Sequence, residues 1–278
     1  MKKPSVILLG SKPGAVAALA VLMKRQWDIQ YVVASQMDDI DWIPKPSLQE
    51  LAKSNSLSIL ASQSDIPEDV SVDFVISYMY RNLVNPRTLN FAKTAALNFH
   101  AGPLPEFGGW AFYNVAILEQ AREYGCTCHY MDENFDTGPL LKVVKFSIDS
   151  EQETALSLES KAQVRMIELF VEFCTLAESG ESLPLVHQNP EKMRYLKKEE
   201  FDKLKVIPSD ASPDEIDRRA RAFWYPPYTC AYMIIDGNNV EVVPEVAKGA
   251  MAKNSHADDL NKLMEAAAIS MNAPRGKA

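Results

Sequence analysis

With 278 residues, 47% of them apolar and 24% charged, the chain can build one sizeable core and a smaller second lobe. A formal net charge of −8 argues against a nucleic-acid backbone as the main partner. No stretch approaches the roughly 20 apolar residues a membrane span needs, and Met1-Lys2-Lys3-Pro4 leads directly into a strand-like run instead of a signal-peptide core, so a cytoplasmic protein without a membrane partner is expected.

Taken in order, the chain opens as strand, turn and helix: an apolar run ending at Gly10, the turn Ser11-Lys12-Pro13-Gly14, then an Ala/Leu-rich segment through Lys24. Residues 29–34 read as a second strand and residues 44–55 as loop and helix. Residues 72–78 (VDFVISY) form the continuous apolar run typical of a buried parallel strand. Residues 83–91 read as a short helix, 95–100 as a strand and 110–124 as a helix. Residues 127–131 and 140–146 read as two further strands. Across residues 153–179, Ala155, Leu158, Ala162, Met166, Leu169, Phe173 and Leu176 recur at helical spacing and predict a long amphipathic helix. Strands alternating with helices over residues 1–184 predict an α/β fold with a parallel sheet of Rossmann type.

The remainder differs in character, and residues 185–250 predict a smaller α+β lobe. Ser212 followed by Pro-Asp-Glu is a helix start with a capping serine and acids in the first turn. The run Trp224-Tyr225-Pro226-Pro227-Tyr228 breaks that helix, because proline disfavours helix at the residue before it. Two short strands around 231–235 and 240–243, joined by Asp236-Gly237-Asn238-Asn239, suggest a hairpin. Residues 251–278 form a tail in which Leu260, Leu263, Met264, Ala267 and Met271 make a helical stripe, packed on the body or across a dimer. From Asn272 onward the tail reads as disordered.

Several features argue against other chemistries. The Gly10-x-x-x-Gly14 turn lacks the residues of a P-loop or a dinucleotide fingerprint; it reads as a tight strand-to-helix turn, or as a set of amides near a substrate phosphate. Cys126 and Cys128 are too close in sequence for the usual zinc pair and no second pair accompanies them, so buried thiols and no metal are expected.

The chemistry concentrates in two places. Asn98 and His100 sit two apart, so on a strand both project from one face while Phe99 points to the other. Asp136 immediately precedes Thr137-Gly138-Pro139, a turn signal, which places a carboxylate at a loop rim within reach of the imidazole. An amide that can donate to an oxyanion, an imidazole and an orienting carboxylate suit acyl-type transfer to an amine.

The pattern formed by Asn98, His100, Leu104, Pro105, Gly108, Gly125, Thr127, His129, Met131, Asp132 and Asp136-Thr137-Gly138-Pro139 resembles the signature of the formyltetrahydrofolate-dependent formyltransferases. The resemblance covers the N-terminal two-thirds. It departs at Ala101-Gly102 and Gly108-Gly109, which touches substrate contacts more than chemistry. It implies Asn98, His100 and Asp136 as the catalytic set; His129 also fits the signature, but its place mid-strand beside Cys128 reads as a buried supporting role. It also implies 10-formyltetrahydrofolate as co-substrate, held near Met79, Tyr80, Leu83, Asp132 and Glu133. The segment from Glu215 to Tyr228 resembles that of sugar-nucleotide N-formyltransferases, which implies a dTDP- or GDP-linked amino-dideoxy sugar as partner, a role in bacterial surface glycans, and a homodimer. Arg81, Trp224 and Tyr228 are the implied substrate contacts, and an Arg-rich helix end suits a diphosphate. Two other readings stay open: transfer to a different small amine, and a non-catalytic Rossmann-like nucleotide-binding module.

Overall fold

The computed structural model describes residues 3–34, 45–109, 111–194, 198–247 and 257–272. The elements run β1 (Ser5–Gly10), α1 (Pro13–Lys24), β2 (Asp28–Ala34), α2 (Leu48–Ser54), β3 (Ile59–Leu60), β4 (Val72–Tyr78), α3 (Pro86–Leu89), β5 (Ala92–His100), α4 (Phe112–Leu118) and β6 (Glu123–Tyr130). They continue with β7 (Leu140–Ser147), α5 (Ala155–Ser179), α6 (Lys198–Leu204), α7 (Pro213–Ala222), β8 (Tyr232–Ile235), β9 (Asn238–Glu241) and α8 (Ala257–Asn272).

Seven strands form one sheet in the order β3-β2-β1-β4-β5-β6-β7. The first five are parallel, as the alternating pattern predicts, but β6 and β7 each pair antiparallel with their neighbour. Residues 131–139 between β6 and β7 are too few for the crossover helix that a parallel return requires. The sheet is therefore mostly parallel, with an antiparallel edge.

Period-two alternation decides which side chains meet which layer. Val6 and Leu8 join one buried cluster with residues of α1 and α5, while Ile7 and Leu9 join a second cluster with Val33, Val75 and Phe91. The same rule sends Tyr78, Phe99, Cys126 and Cys128 into the larger cluster. Phe99 stacks at 5.6 Å on Tyr78 and meets Phe170 of α5 edge-on at 4.9 Å. The neighbours of these residues, Ser77, Asn98, Thr127 and His129, are thereby turned to the opposite face.

Other boundaries differ from the sequence reading. The helix expected over 110–124 is only the seven residues of α4, with Trp110 outside the described residues, and β6 begins at Glu123. The helix expected over 83–91 is the single turn α3, opened by the Asn85 side chain, which accepts from Thr88 N at 2.8 Å. The hairpin turn uses only Asp236 and Gly237, both at left-handed φ (49° and 78°), so Asn238 and Asn239 belong to β9.

Capping follows the sequence closely. Thr154 accepts from Ser157 N at the start of α5, and Ser212 accepts from Glu215 N at the start of α7. The apolar stripe of the tail lies on α8, where Leu260, Leu263 and Ala267 are buried against the main cluster and Met264 is 40% exposed. α8 packs on α5 and α1, so the stripe is used within the chain. The expected disorder concerns residues beyond Asn272, which lie outside the described part.

Two of the three arginines of α7, Arg219 and Arg221, are spent on structure, which corrects the reading of that helix end as a diphosphate site for those two. Arg219 donates to the carbonyls of Leu204 and Val206, both at 2.9 Å. Arg221, 4% exposed, donates to Ser150 O and Glu153 O and pairs with Asp217. Removing that guanidinium leaves two carbonyls under the second lobe without their donor. Arg221→Met is expected to lower the unfolding free energy by about 2–4 kcal/mol, read by urea denaturation. A change within about 0.5 kcal/mol would show that the arginine is idle.

Candidate active site

Strand register brings the chemistry to one sheet edge. Ser77 lies opposite Asn98, Asn98 opposite His129, and His100 opposite Thr127. All five share the face turned away from Phe99. At the level of Gly10, Tyr78 and Phe99 the parallel strands end, and the strand order reverses between β1 and β4. Loops at such a reversal open a crevice where α/β sheets take ligands.

The loop after His100 is pinned from β6. Thr127 Oγ1 donates to Gly102 O at 2.8 Å and accepts from Leu104 N at 3.0 Å, while Tyr124 OH donates to Ala101 O at 3.0 Å. A Cβ on Gly102 would stand 2.7 Å from Phe107 O and 2.8 Å from His100 Nε2, so only glycine lets the loop close over the imidazole. His100 is 5% exposed and its Nε2 donates to Phe107 O at 2.7 Å.

The acid comes from the loop between β6 and β7. Asp132 builds that loop, its Oδ1 accepting from Asn134 N at 2.9 Å and Thr137 Oγ1 at 2.6 Å. Gln188 Nε2 clamps it from outside, donating to Asp136 O at 2.8 Å and Gly138 O at 2.7 Å. Asp136 itself adopts a left-handed φ of 58°, which turns its carboxylate inward to 8% exposure. Its Oδ2 accepts from Gly109 N at 2.8 Å and lies 3.7 Å from His100 Nδ1; its Oδ1 lies 3.4 Å from His129 Nε2 and 3.5 Å from Asn98 Nδ2. Burial is the largest single influence on this carboxyl and opposes ionisation. The charge of His100, the bond and charge of His129 and the Gly109 N–H together outweigh it, and hold Asp136 well below the usual carboxylate range.

Asn98, His100 and Asp136 thus meet around one space, although residue spacing alone placed the third of them only at a loop rim. His129 is 2% exposed and contacts both Asn98 and Asp136. Ser77, Gly109 and Gln188 were not singled out from sequence. A serine inside a mostly apolar strand was the one signal available for Ser77; Gln188, 52 residues from Asp136, had none. Among the described residues no group of three or more His, Cys, Asp or Glu side chains could hold a metal. Cys126, with its thiol pushed up to about 12 by burial, is an inert core residue, and Cys128 is likewise buried.

Around this centre, Met79 and Tyr80 are half-buried just past the end of β4, and Met79 has a left-handed φ of 54°. Leu83 is 38% exposed and its carbonyl accepts from Gln63 Nε2 at 2.8 Å, while Glu133 is exposed. Arg81 reaches across to the second lobe, its Nη2 lying 3.4 Å from Tyr228 OH. Trp224 does not join them: at 6% exposure it packs with Cys230, Ala247, Leu156 and Val243, which makes it part of the lobe's small core. Sequence reading missed the neighbouring cluster. Lys12, from the turn after β1, pairs with Glu159 at 2.5 Å and donates to Tyr225 OH at 3.0 Å, and Tyr225 also bonds Glu159. Tyr225 and Tyr228 lie with ring centroids 5.7 Å apart. Two cations from the switch point therefore face two tyrosines of the second lobe. No helix among the described residues is long and apolar enough to cross a membrane.

Comparison with known proteins places this geometry in context. A family model described as formyl transferase matches residues 17–173. The GDP-perosamine N-formyltransferase of Brucella melitensis biotype 1 is 34% identical over 174 residues, which cover 63% of this chain and 65% of that relative, just under two thirds of its length. A methionyl-tRNA formyltransferase of Synechococcus is 34% identical over 152 residues, covering 54% of this chain and 47% of the relative. The structure of an N-formyltransferase from Helicobacter canadensis, solved with folinic acid and dTDP-3-aminofucose, shares the fold with a TM-score of 0.71 at 18% identity, over 84% of this chain and 85% of that one.

Proposed function

The chain belongs to the formyl transferase family, and from that premise we propose that it transfers a formyl group from 10-formyltetrahydrofolate to the amino group of a nucleotide-linked amino-dideoxy sugar. The observation that carries this reading is the convergence of Asn98, His100 and Asp136 around one space; Lys12 and Arg81, from the loops after β1 and β4, contact Tyr225 and Tyr228 of the second lobe.

In this reading each residue has one task. Asn98 gives an amide N–H to the oxygen that becomes negative when the amine adds to the formyl carbon. His100 takes the proton that the new nitrogen must lose. Its two ring nitrogens face Phe107 O and the Asp136 carboxylate, groups that only accept, so a ring that has gained a proton is matched on both sides. The half-buried Met79 and Tyr80, with Leu83, Asp132 and Glu133, form the donor's side of the crevice. Arg81 and Tyr228, with Lys12 and Tyr225, form the acceptor's side, where cations suit a diphosphate and flat rings a base or sugar face.

Residues 1–184 act as the catalytic domain, 185–250 as the lobe that completes the acceptor side, and 251–278 as a tail whose helix α8 packs on the body. The working form is a cytoplasmic homodimer that serves surface-glycan (O-antigen) synthesis. Because the α8 stripe is already covered within the chain, the dimer uses another surface.

The test is a mass-spectrometric screen of the protein with 10-formyltetrahydrofolate and a panel of dTDP- and GDP-linked amino sugars, with methionyl-tRNA as a comparison. A mass gain of one formyl group on one panel sugar is the expected result. Formylation of the tRNA alone overturns the acceptor class, and nucleotide binding without any transfer points to a binding module.

A further inference from the structure

Nothing in the shape of Asn98 decides which end of its carboxamide faces the reacting atoms. A half-turn about χ2 exchanges the NH2 and the oxygen with little steric change, so surrounding hydrogen bonds must set the orientation. One end of the arrangement has a fixed polarity. The carbonyl of Tyr130 only accepts, and it takes the Nδ1–H of His129 at 2.8 Å. When the ring is neutral, the Nε2 lone pair accepts from Asn98 Nδ2 at 3.0 Å; when it is charged, Nε2–H turns to Asp136 Oδ1 at 3.4 Å and the carboxylate still keeps the Asn98 NH2 on its side. Asp136 Oδ1, 3.5 Å from Asn98 Nδ2, is a second acceptor on that side. The amide oxygen is therefore turned the other way, toward β4, where Ser77 Oγ donates to it at 2.7 Å.

We propose that Ser77 is a positioning residue for formyl transfer: its hydroxyl anchors the Asn98 oxygen, so that the NH2 stays on the His129 side and its second N–H, which has only a long 3.5 Å contact to Asp136 in the resting site, is presented at a fixed place to the developing oxyanion. The inference rests on the formyl-transfer reading of the site. Three observations support it. Ser77 is 3% exposed in a strand whose other members are mostly apolar, a position where a small aliphatic side chain would be buried at lower cost. The β4–β5 register sets Ser77 directly beside Asn98, on the face turned away from Tyr78 and Phe99. An oxygen that accepts a short bond also polarises the amide, which makes the opposite N–H a better donor.

Ser77→Ala removes the anchor and almost no volume. It is expected to lower kcat about 10- to 100-fold, the range typical of groups that orient a reacting residue from behind, with KM for both substrates changed by less than about threefold. Ser77→Thr keeps the hydroxyl and restores most of kcat. A second measurement does not depend on turnover: the Asn98 side-chain amide resonances in asparagine-labelled protein, assigned by their loss in Asn98→Asp. They are expected to move in Ser77→Ala and to return in Ser77→Thr. The proposal is overturned if Ser77→Ala retains wild-type kcat, if the Asn98 resonances do not move, or if KM rises while kcat is kept. Should the threonine methyl not fit, the alanine arm decides alone. A wild-type protein that formylates no amine defeats the reading beneath the inference, and the resonance arm then decides the anchoring separately.

Discussion

Replacing His100 by Ala is expected to lower kcat by about 10³-fold, within the range that loss of a positioned acid–base group produces, while sugar-nucleotide binding stays measurable. Geometry makes the imidazole hard to replace. It is 5% exposed, one nitrogen is held by Phe107 O, the other faces the charge of Asp136, and Phe112 covers the ring edge-on with centroids 4.7 Å apart. Water entering the space left by alanine could take up a proton but would lack the carboxylate-facing orientation. The acceptor-side cluster of Lys12, Arg81, Tyr225 and Tyr228 makes no hydrogen bond to His100, which is why binding and turnover should separate. Single-turnover rates and calorimetric titration with the product nucleotide sugar check both halves. Turnover at the wild-type rate would remove His100 from the chemistry.

Asp136→Asn should have an effect of similar size, about 10²–10⁴-fold on kcat, together with a change in acid stability. The carboxylate accepts the Gly109 N–H and supplies negative charge to two imidazoles; an amide of the same shape keeps the volume but loses the charge. Because the folded protein holds Asp136 below the usual carboxylate range, the native state favours its ionised form. That stabilising contribution is complete above the unfolded-state pKa and drains away as pH falls from about 4 toward the lower native value. Asp136→Asn has no such contribution to lose. In urea denaturation at stepped pH, the stability advantage of wild type over the variant should be constant near neutrality and shrink below about pH 4. An advantage that grows on acidification would mean that Asp136 is not ionised in the folded state.

Much of the frame was legible in the residues because it depends on local pattern. The run at residues 72–78 coincides with β4, the Ser212 cap opens α7, and most of the apolar stripe of α5 and of α8 faces the core. The shared face of Asn98 and His100 follows from strand geometry alone. Misreadings arose where local pattern and tertiary demand diverge. Residues 119–124 carry helix-compatible residues, yet Tyr124 and Cys126 fill the core, and the chain enters β6 at Glu123. Trp224 sits in a segment that resembles a substrate-binding run, but its ring is the largest apolar group available to fill the small lobe and is buried there. The α7 arginines gave a basic helix end; backbone carbonyls of the preceding segment claim Arg219, and those of Ser150 and Glu153 claim Arg221.

Residue identity and spacing were sufficient to determine the layered α/β frame, the face that bears the amide and imidazole, and the turn that bears the acid, since all three arise from interactions within a few residues. Only the folded chain could decide that Asp136 lies within 4 Å of two histidines, that Ser77 and His129 hold Asn98 from either side, and that Lys12 and Arg81 meet Tyr225 and Tyr228. Those contacts join residues as far as 213 positions apart. Their geometry is set by strand register, the fold of the 131–139 loop and the docking of the second lobe, none of which has a signature in any short window of sequence.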